Sequence, residues 1–300
     1  SKESKKMIFR AFDKGITHFD LANNYGPPYG SAETNFGNIM SYDLKKYRDE
    51  LIISTKAGYD MWPGPYGEWG SKKYLISSLD QSLKRMKIEY VDIFYSHRFD
   101  PLTPLEETAD ALAQSIYQGK ALYVGISSYS SKQTIRMNKL LKERGVRCLI
   151  HQPSYSMINR WIEKDLLKTL KKLEIGCIAF SPLAQGMLSS KYLNNIPKIS
   201  RAAENSSLDR KNITKSYLYK INGLNKIAKK RKQTIPQLAI SWVLRHNEMT
   251  SALIGARNLN QLNECLDSLK NLKFSKAELK QIDKFAKEEN INLWARSSKY

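Results

Sequence analysis

Cysteine is scarce in this chain: Cys148, Cys177 and Cys265 stand far apart among 300 residues. No CxxC pair and no zinc-type spacing exists, which excludes a disulfide scaffold and the common zinc modules. Cys148 and Cys177 sit in apolar runs (CLI, GCIAF), where a reduced, buried thiol is expected, and with it a reducing, cytoplasmic compartment. Long hydrophobic runs are missing too. None approaches the ~20 residues of a membrane span, and the opening residues have no signal-peptide pattern. GxGxxG, a Walker loop and a GxSxG elbow are all absent. The four histidines, His18, His97, His151 and His246, show no metal-ligand spacing. A carboxylate-pair hydrolase would need two acids at strand ends, and only Asp20 qualifies clearly.

Acidic residues are outnumbered, 29 against 49 basic, for a formal net charge of +20. Such an excess raises nucleic-acid binding as a function. The basic residues are spread over expected helix faces, however (Lys139, Lys142, Arg144; Lys226, Lys229, Lys230), and no zinc-finger, basic-zipper or RNA-recognition signature accompanies them. We therefore expect no specific nucleic-acid partner. The charge still favours anionic small molecules such as phosphorylated cofactors.

What is present is alternation. With 41% hydrophobic and 26% charged residues, the composition is that of an ordinary globular protein. Apolar, β-branched runs predict strands at 16–22, 51–57, 91–97, 121–127, 149–155, 176–183 and 251–256. Helical periodicity predicts helices at 4–14, 71–86, 104–118, 131–143, 163–173, 216–231, 236–246, 259–269 and 276–288. Repeated strand–helix units imply a parallel sheet with right-handed crossovers. No linker divides the chain, so residues 1–300 are expected to form one domain. The longest irregular piece is 192–216. Without GxGxxG the doubly wound fold is disfavoured. Polar residues at strand ends favour a (β/α)8 TIM barrel, a fold of ~250 residues with its active site at the C-terminal rim. Seven strands are counted, so the opening strand of an eight-stranded barrel is expected to be missing from this sequence.

The chemistry-bearing residues fall at those strand ends. Asp20 ends the first strand and Tyr25 follows in a Gly/Pro-rich loop; Lys56 ends the second in ISTKAG; His97 ends the third in FYSHRFD. Taken singly, each has a plainer reading: a loop cap, a loop aromatic, a surface charge, a hydrogen-bonded core imidazole. Four strand-end placements together are harder to discount. Reducing a carbonyl with hydride leaves an alkoxide that must be protonated. A free phenol, pKa ~10, is a poor acid at neutral pH. An ammonium beside it favours the phenolate, a carboxylate anchors the ammonium, and a histidine can orient the carbonyl oxygen.

GITHFDLANNYGPPYGSAETNFG, ISTKAG, YVDIFYSHR, GKALYVGIS, HQPSYS, FSPLAQGMLSSKY and LIGARNLNQL together resemble the aldo-keto reductase superfamily. The resemblance is to its bacterial L-glyceraldehyde 3-phosphate reductase-like branch, itself similar to the β subunits of voltage-gated potassium channels. It implies a barrel that binds NADP(H) in extended form, with Tyr25 as proton donor, Lys56 and Asp20 supporting it, and His97 positioning the carbonyl. It assigns Asp20, Ser127 and Gln152 to the nicotinamide end and Phe180 to the nicotinamide ring, though Phe180 reads equally as a core aromatic. Ser181, Pro182, Leu183, Gln185 and Gly186 match the pyrophosphate-side loop. Lys191 and Arg201 match basic positions around the adenosine phosphate, and Gly255, Gln261 and Glu264 match the adenine end. Arg257 stands where relatives often carry a small polar residue, and is a candidate further phosphate contact; Cys265 stands where they often carry Asn.

The aromatic loop 58–70, GYDMWPGPYGEWG, is expected to line the substrate mouth through Trp62 and Tyr66, with Trp69 nearby. Trp294 in INLWARSS is expected over the same rim. The function implied is NADPH-dependent reduction of small aldehydes, with L-glyceraldehyde 3-phosphate or related carbonyls as candidate substrates, by a homo-oligomer without a membrane span. The rival is a cofactor-binding regulatory subunit with little turnover, like the channel β subunits. These tend to carry Asn at the position of His97, so the histidine favours an enzyme.

Overall fold

A computed structural model of the chain describes residues 2–192 and 213–289. Among them, seven strands form parallel pairs in chain order: β1 (His18–Asp20), β2 (Ile52–Ala57), β3 (Val91–Ser96), β4 (Ala121–Ser127), β5 (Cys148–Gln152), β6 (Gly176–Ala179) and β7 (Ser251–Ala252). Parallel neighbours require a crossover each, and most crossovers carry a helix. The helices are α1 (Lys2–Asp13), α2 (Ser31–Ile39), α3 (Lys72–Met86), α4 (Leu105–Tyr117), α5 (Ser131–Glu143), α6 (Leu166–Leu173), α7 (Lys215–Lys230), α8 (Ile235–Val243), α9 (Leu259–Asp267) and α10 (Lys276–Ile282). This is the strand–helix order of a (β/α)8 barrel. No helix of the described residues is long and apolar enough to cross a membrane.

The chain divides into two compact units. The first holds β1 to β5, the start of β6 and α1 to α6; the second holds the end of β6, β7 and α7 to α10. In the first, β2 and β3 are buried on both faces apart from Ile52 and Asp92, as parallel strands covered on both sides are. Ile53, Phe94, Val124 and Ile126 are fully buried there; each such side chain contributes about 1.5–3 kcal/mol. Gly125 on β4 makes room for the buried Tyr95 of β3: a Cβ there would lie 2.6 Å from the Tyr95 ring. Helix starts follow their caps. Ser71 accepts from the Tyr74 N–H, and Ser130 forms a reciprocal capping box with Gln133.

In the second unit, α8 opens with Pro236 and a Thr234–Gln237 capping box and buries Trp242 completely. A polar network lies against that ring. Glu163 accepts from Tyr155 Oη, from Arg245 Nη2 at 2.9 Å and from Arg160 Nη2 at 2.7 Å.

The sequence-predicted strands and helices recur with shifted ends, and one helix goes unread. α2 lies inside the signature stretch, where Gly37 and the flanking glycines and prolines suggest only loop. It is held instead by Glu33, a fully buried carboxylate that accepts from Arg85 Nε at 2.7 Å and Thr55 Oγ1 at 2.5 Å. The strand expected at 176–183 stops at Ala179, because Ser181, Ala184 and Gln185 take φ of 54, 46 and 58°, outside the extended region. The strand expected at 251–256 keeps two residues, with one more rung where Leu253 N donates to Ala179 O at 2.8 Å. The helix expected from 163 begins at Leu166, while Glu163 stays in the short turn Trp161–Glu163 and serves the network.

Candidate active site

Strand register determines which side chains meet. Asp20 pairs with Ser54 across the β1–β2 ladder. Side chains alternate faces along a strand, so His18 and Asp20 share one face of β1, as Ser54 and Lys56 share one face of β2. These four form a chain. His18 Nε2 lies 2.9 Å from Ser54 Oγ, which donates to Asp20 Oδ1 at 2.6 Å. Lys56 Nζ donates to Asp20 Oδ2 and to the Leu21 carbonyl, the latter at 2.8 Å. Gln152, at the end of β5, adds its amide to Asp20 Oδ1 at 3.1 Å. Both side chains of the Asp20–Lys56 pair are fully buried.

Burial works against the Lys56 charge, but the Asp20 carboxylate and the Tyr25 phenol outweigh it and hold the ammonium above its ordinary range. Lys56 Nζ sits 5.1 Å from the Tyr25 ring centroid and 5.7 Å from that of Tyr95. Tyr25 differs from its neighbours in being 36% exposed. A buried ammonium therefore stands on one side of this phenol while the other side is open.

His97 directly follows β3 and lies edge-on to Tyr25, ring centroids 6.0 Å apart, and to Tyr59 at 4.7 Å. Gly58 permits this approach, since a Cβ there would lie 2.9 Å from His97 Cβ. Burial, then the Lys56 and Arg98 charges, push the imidazole well below its ordinary pKa, so it is neutral at pH 7. Its Nδ1 is buried without a partner, which leaves Nε2 as the nitrogen with access to a ligand. Asn23 and Asn24, just before Tyr25, each bury a side-chain oxygen without a partner as well.

The structure thus brings Asp20, Tyr25, Lys56, His97 and Gln152 together. Ser127, at the end of β4, donates to the Gln152 carbonyl at 2.8 Å. In the 58–70 loop, Trp62 packs on Tyr74 at 5.2 Å, while Tyr66 is half exposed beneath the Lys73 ammonium. The aromatic against His97 is Tyr59, which the sequence reading did not single out. Also unread were Ser54, His18 and Glu33. The alternation of β2 places Ser54 on the Lys56 face, so register was the available signal.

In the second unit, Phe180 bridges to Ser154 and accepts from Tyr155 N at 3.1 Å. The loop after it has left-handed φ at Ser181, Ala184, Gln185 and Gly186, and Gln185 buries an oxygen without a partner. Pro182 is buried and Leu183 half-buried. A Cβ at Gly186 or Gly255 would meet nothing within 4 Å. Lys191 is exposed. Gln261 accepts from Arg257 N at 2.9 Å beside the Asn258 cap of α9, and Glu264 is half-buried farther along that helix. Arg201 and Trp294 lie outside the described residues. Cys148, Cys177 and Cys265 are buried and form no disulfide; burial pushes all three thiols up, Cys148 and Cys177 to about 12.

Residues 1–287 match the Aldo/keto reductase family. The chain is 57% identical over 302 residues to the L-glyceraldehyde 3-phosphate reductase of Escherichia coli (strain K12), covering 99% of this chain and 87% of that one. It is 34% identical over 275 residues to a probable voltage-gated potassium channel subunit beta of Oryza sativa subsp. japonica, with 89% and 82% covered. To one of Arabidopsis thaliana it is 35% identical over 270 residues, with 88% and 80% covered. By the family match over residues 1–287 and the identity to a reductase, the chain belongs to the aldo/keto reductase family and is an oxidoreductase that acts on carbonyl groups.

Proposed function

We propose that this protein reduces small aldehydes with NADPH, and that L-glyceraldehyde 3-phosphate or a related carbonyl is among its substrates. The observation that carries the reading is the sealed Asp20–Lys56 ion pair beneath an exposed Tyr25, with a neutral His97 alongside. NADPH, when bound, supplies the hydride. His97 donates its Nε2–H to the carbonyl oxygen and orients it. The Tyr25 hydroxyl gives its proton to that oxygen as negative charge develops there. Lys56 stabilises the phenolate left behind, and Asp20, fixed by Ser54 and Gln152, keeps the ammonium in place.

The residues fit such a cofactor. Left-handed backbone at Ser181, Ala184 and Gln185 is the kind of strain that collects at ligand sites. The partnerless Gln185 oxygen there is suited to a ligand donor. We assign Ser127, Gln152 and Phe180 to the nicotinamide, and Ser181, Pro182, Leu183, Gln185 and Gly186 to the pyrophosphate. Lys191, Arg201 and Arg257 are assigned to the phosphate of the adenosine, and Gly255, Gln261 and Glu264 to its base. The net charge of +20 favours a cofactor with an extra phosphate. A single barrel domain, a homo-oligomer and a cytoplasmic setting belong to the same proposal, the last supported by three cysteines outside any disulfide.

The test is cofactor oxidation against a panel of aldehydes that includes both hands of glyceraldehyde 3-phosphate, with NADPH and NADH in parallel. Turnover with NADPH is expected, and NADH should be the poorer donor. A protein that binds NADPH but reduces nothing would instead match the regulatory-subunit alternative.

A further inference from the structure

Arg98 follows His97, and the proposed reaction gives it no contact with the substrate. For a cation it is unusually enclosed, its side chain 14% exposed. Its guanidinium carbon lies 3.6 Å from the Trp69 ring centroid and 4.3 Å from that of Tyr59, and Tyr59 is the ring that packs on His97. Nε donates to the Gly58 carbonyl at 2.8 Å and Nη2 to Glu68 at 2.7 Å. Nη1 has no partner among the described residues. Trp69 reaches over this guanidinium with φ 72°, a left-handed conformation that a bulky side chain rarely adopts. The loop therefore accepts backbone strain while holding a cation flat beside the imidazole. Strain of this kind gathers at ligand clamps.

We propose, building on the reading above, that Arg98 binds the phosphate of a phosphorylated aldehyde, and that Glu68 occupies that place until the substrate displaces it. The Glu68 side chain is 42% exposed, and a carboxylate so open to water holds its partner weakly. A phosphoryl group offers a guanidinium two parallel hydrogen bonds and greater charge. In a three-carbon aldehyde phosphate, two carbons separate the carbonyl carbon from the ester oxygen. A substrate whose carbonyl meets His97 thus needs its phosphate partner close by, and Arg98 is the adjacent residue.

The experiment compares kcat/KM for glyceraldehyde 3-phosphate and for glyceraldehyde, with NADPH, in the natural protein and in Arg98→Met, Arg98→Lys and Glu68→Gln. The natural protein should prefer the phosphorylated aldehyde. Arg98→Met should cut that preference by about 10- to 100-fold, the worth of a charged hydrogen bond, and Arg98→Lys should restore part of it. Glu68→Gln should lower KM for the phosphorylated aldehyde several-fold while leaving the KM for glyceraldehyde in place. Equal losses on both substrates in Arg98→Met, with no recovery in Arg98→Lys, would make Arg98 a clamp for the 58–70 loop and overturn the proposal. Should Arg98→Met not fold, the other two variants decide, and an unchanged preference in Glu68→Gln counts against it. Reduction of glyceraldehyde without any preference for its phosphate removes this proposal alone. Reduction of neither removes the underlying reading as well.

Discussion

Tyr25, Lys56, Asp20 and His97 in the first unit have chemical counterparts in the second: Tyr155, Arg245, Glu163 and His246. Each set joins a phenol, a cation, a carboxylate and an imidazole. In the second set the four groups bind one another. Tyr155 is fully buried; its hydroxyl donates to Glu163, accepts from Arg245 Nη1 at 2.9 Å and lies 3.2 Å from His246 Nε2. Its ring stacks on Trp242 at 5.3 Å, and burial pushes the phenol far above its ordinary range. Burial works against the Glu163 charge, but hydrogen bonds from His246, Arg160 and Tyr155 outweigh it and hold the carboxylate below the usual carboxylate range. In the first set the saturated groups, Asp20 and Lys56, lie beneath, while Tyr25 is exposed and His97 keeps a nitrogen free. The lesson is that the same four groups make a brace when all are satisfied, and a site when the outer two are left unsatisfied above an inner pair that is.

That contrast can be broken at several points. The largest effect is expected at Lys56. Lys56→Met should lower kcat by about 10²-fold or more and also cost about 3–5 kcal/mol of stability, because it strands a buried Asp20 carboxylate. Urea unfolding and initial rates check the two arms; an unchanged urea midpoint would contradict the buried pair.

Next is acid sensitivity. His151 is fully buried, its Nε2 3.0 Å from the Tyr129 carbonyl, and burial pulls its pKa down to about 4. The unfolded chain, with histidine near 6.5, binds a proton that the folded state refuses. Stability from this residue is therefore complete above pH 6.5 and is lost as pH falls from 6.5 toward 4, by on the order of 3 kcal/mol. Melting temperatures across that window should fall less steeply in His151→Asn than in the natural protein. Parallel slopes would place the acid sensitivity elsewhere, His18 and His97 being shifted in the same direction.

The smallest effect is expected at Ser54. Its hydroxyl links His18 to Asp20, so Ser54→Ala should cost about 1 kcal/mol and a few-fold in kcat, with the loss growing if Asp20 is less well fixed. A kcat that does not move would reduce Ser54 to packing.

Much of this arrangement was legible in the sequence, because apolar runs mark strands and the polar residues that end them are conspicuous. Asp20, Lys56 and His97 were found that way, and the absence of GxGxxG pointed toward a barrel. Partners far apart in sequence were not legible. Neither Glu33 nor Arg85 was singled out in the sequence, and only the approach of α2 to α3 joins the buried carboxylate to its partner. Ser54 and His18 needed the β1–β2 register before they could be joined to Asp20. The sequence reading picked Trp62, Tyr66 and Trp69 in the 58–70 loop and passed over Tyr59; only the folded loop separates Tyr59, packed on His97, and Trp69, packed on Arg98, from the half-exposed Tyr66.

The most direct test sets the two phenols against each other. Measure kcat and the urea midpoint for Tyr25→Phe and Tyr155→Phe in one assay. The account predicts a crossing: Tyr25→Phe loses about 10²–10⁴ in kcat and keeps its midpoint, whereas Tyr155→Phe loses about 1–3 kcal/mol of stability and keeps kcat within a few-fold. Normal turnover by Tyr25→Phe, or a collapse of kcat in a stably folded Tyr155→Phe, would contradict it.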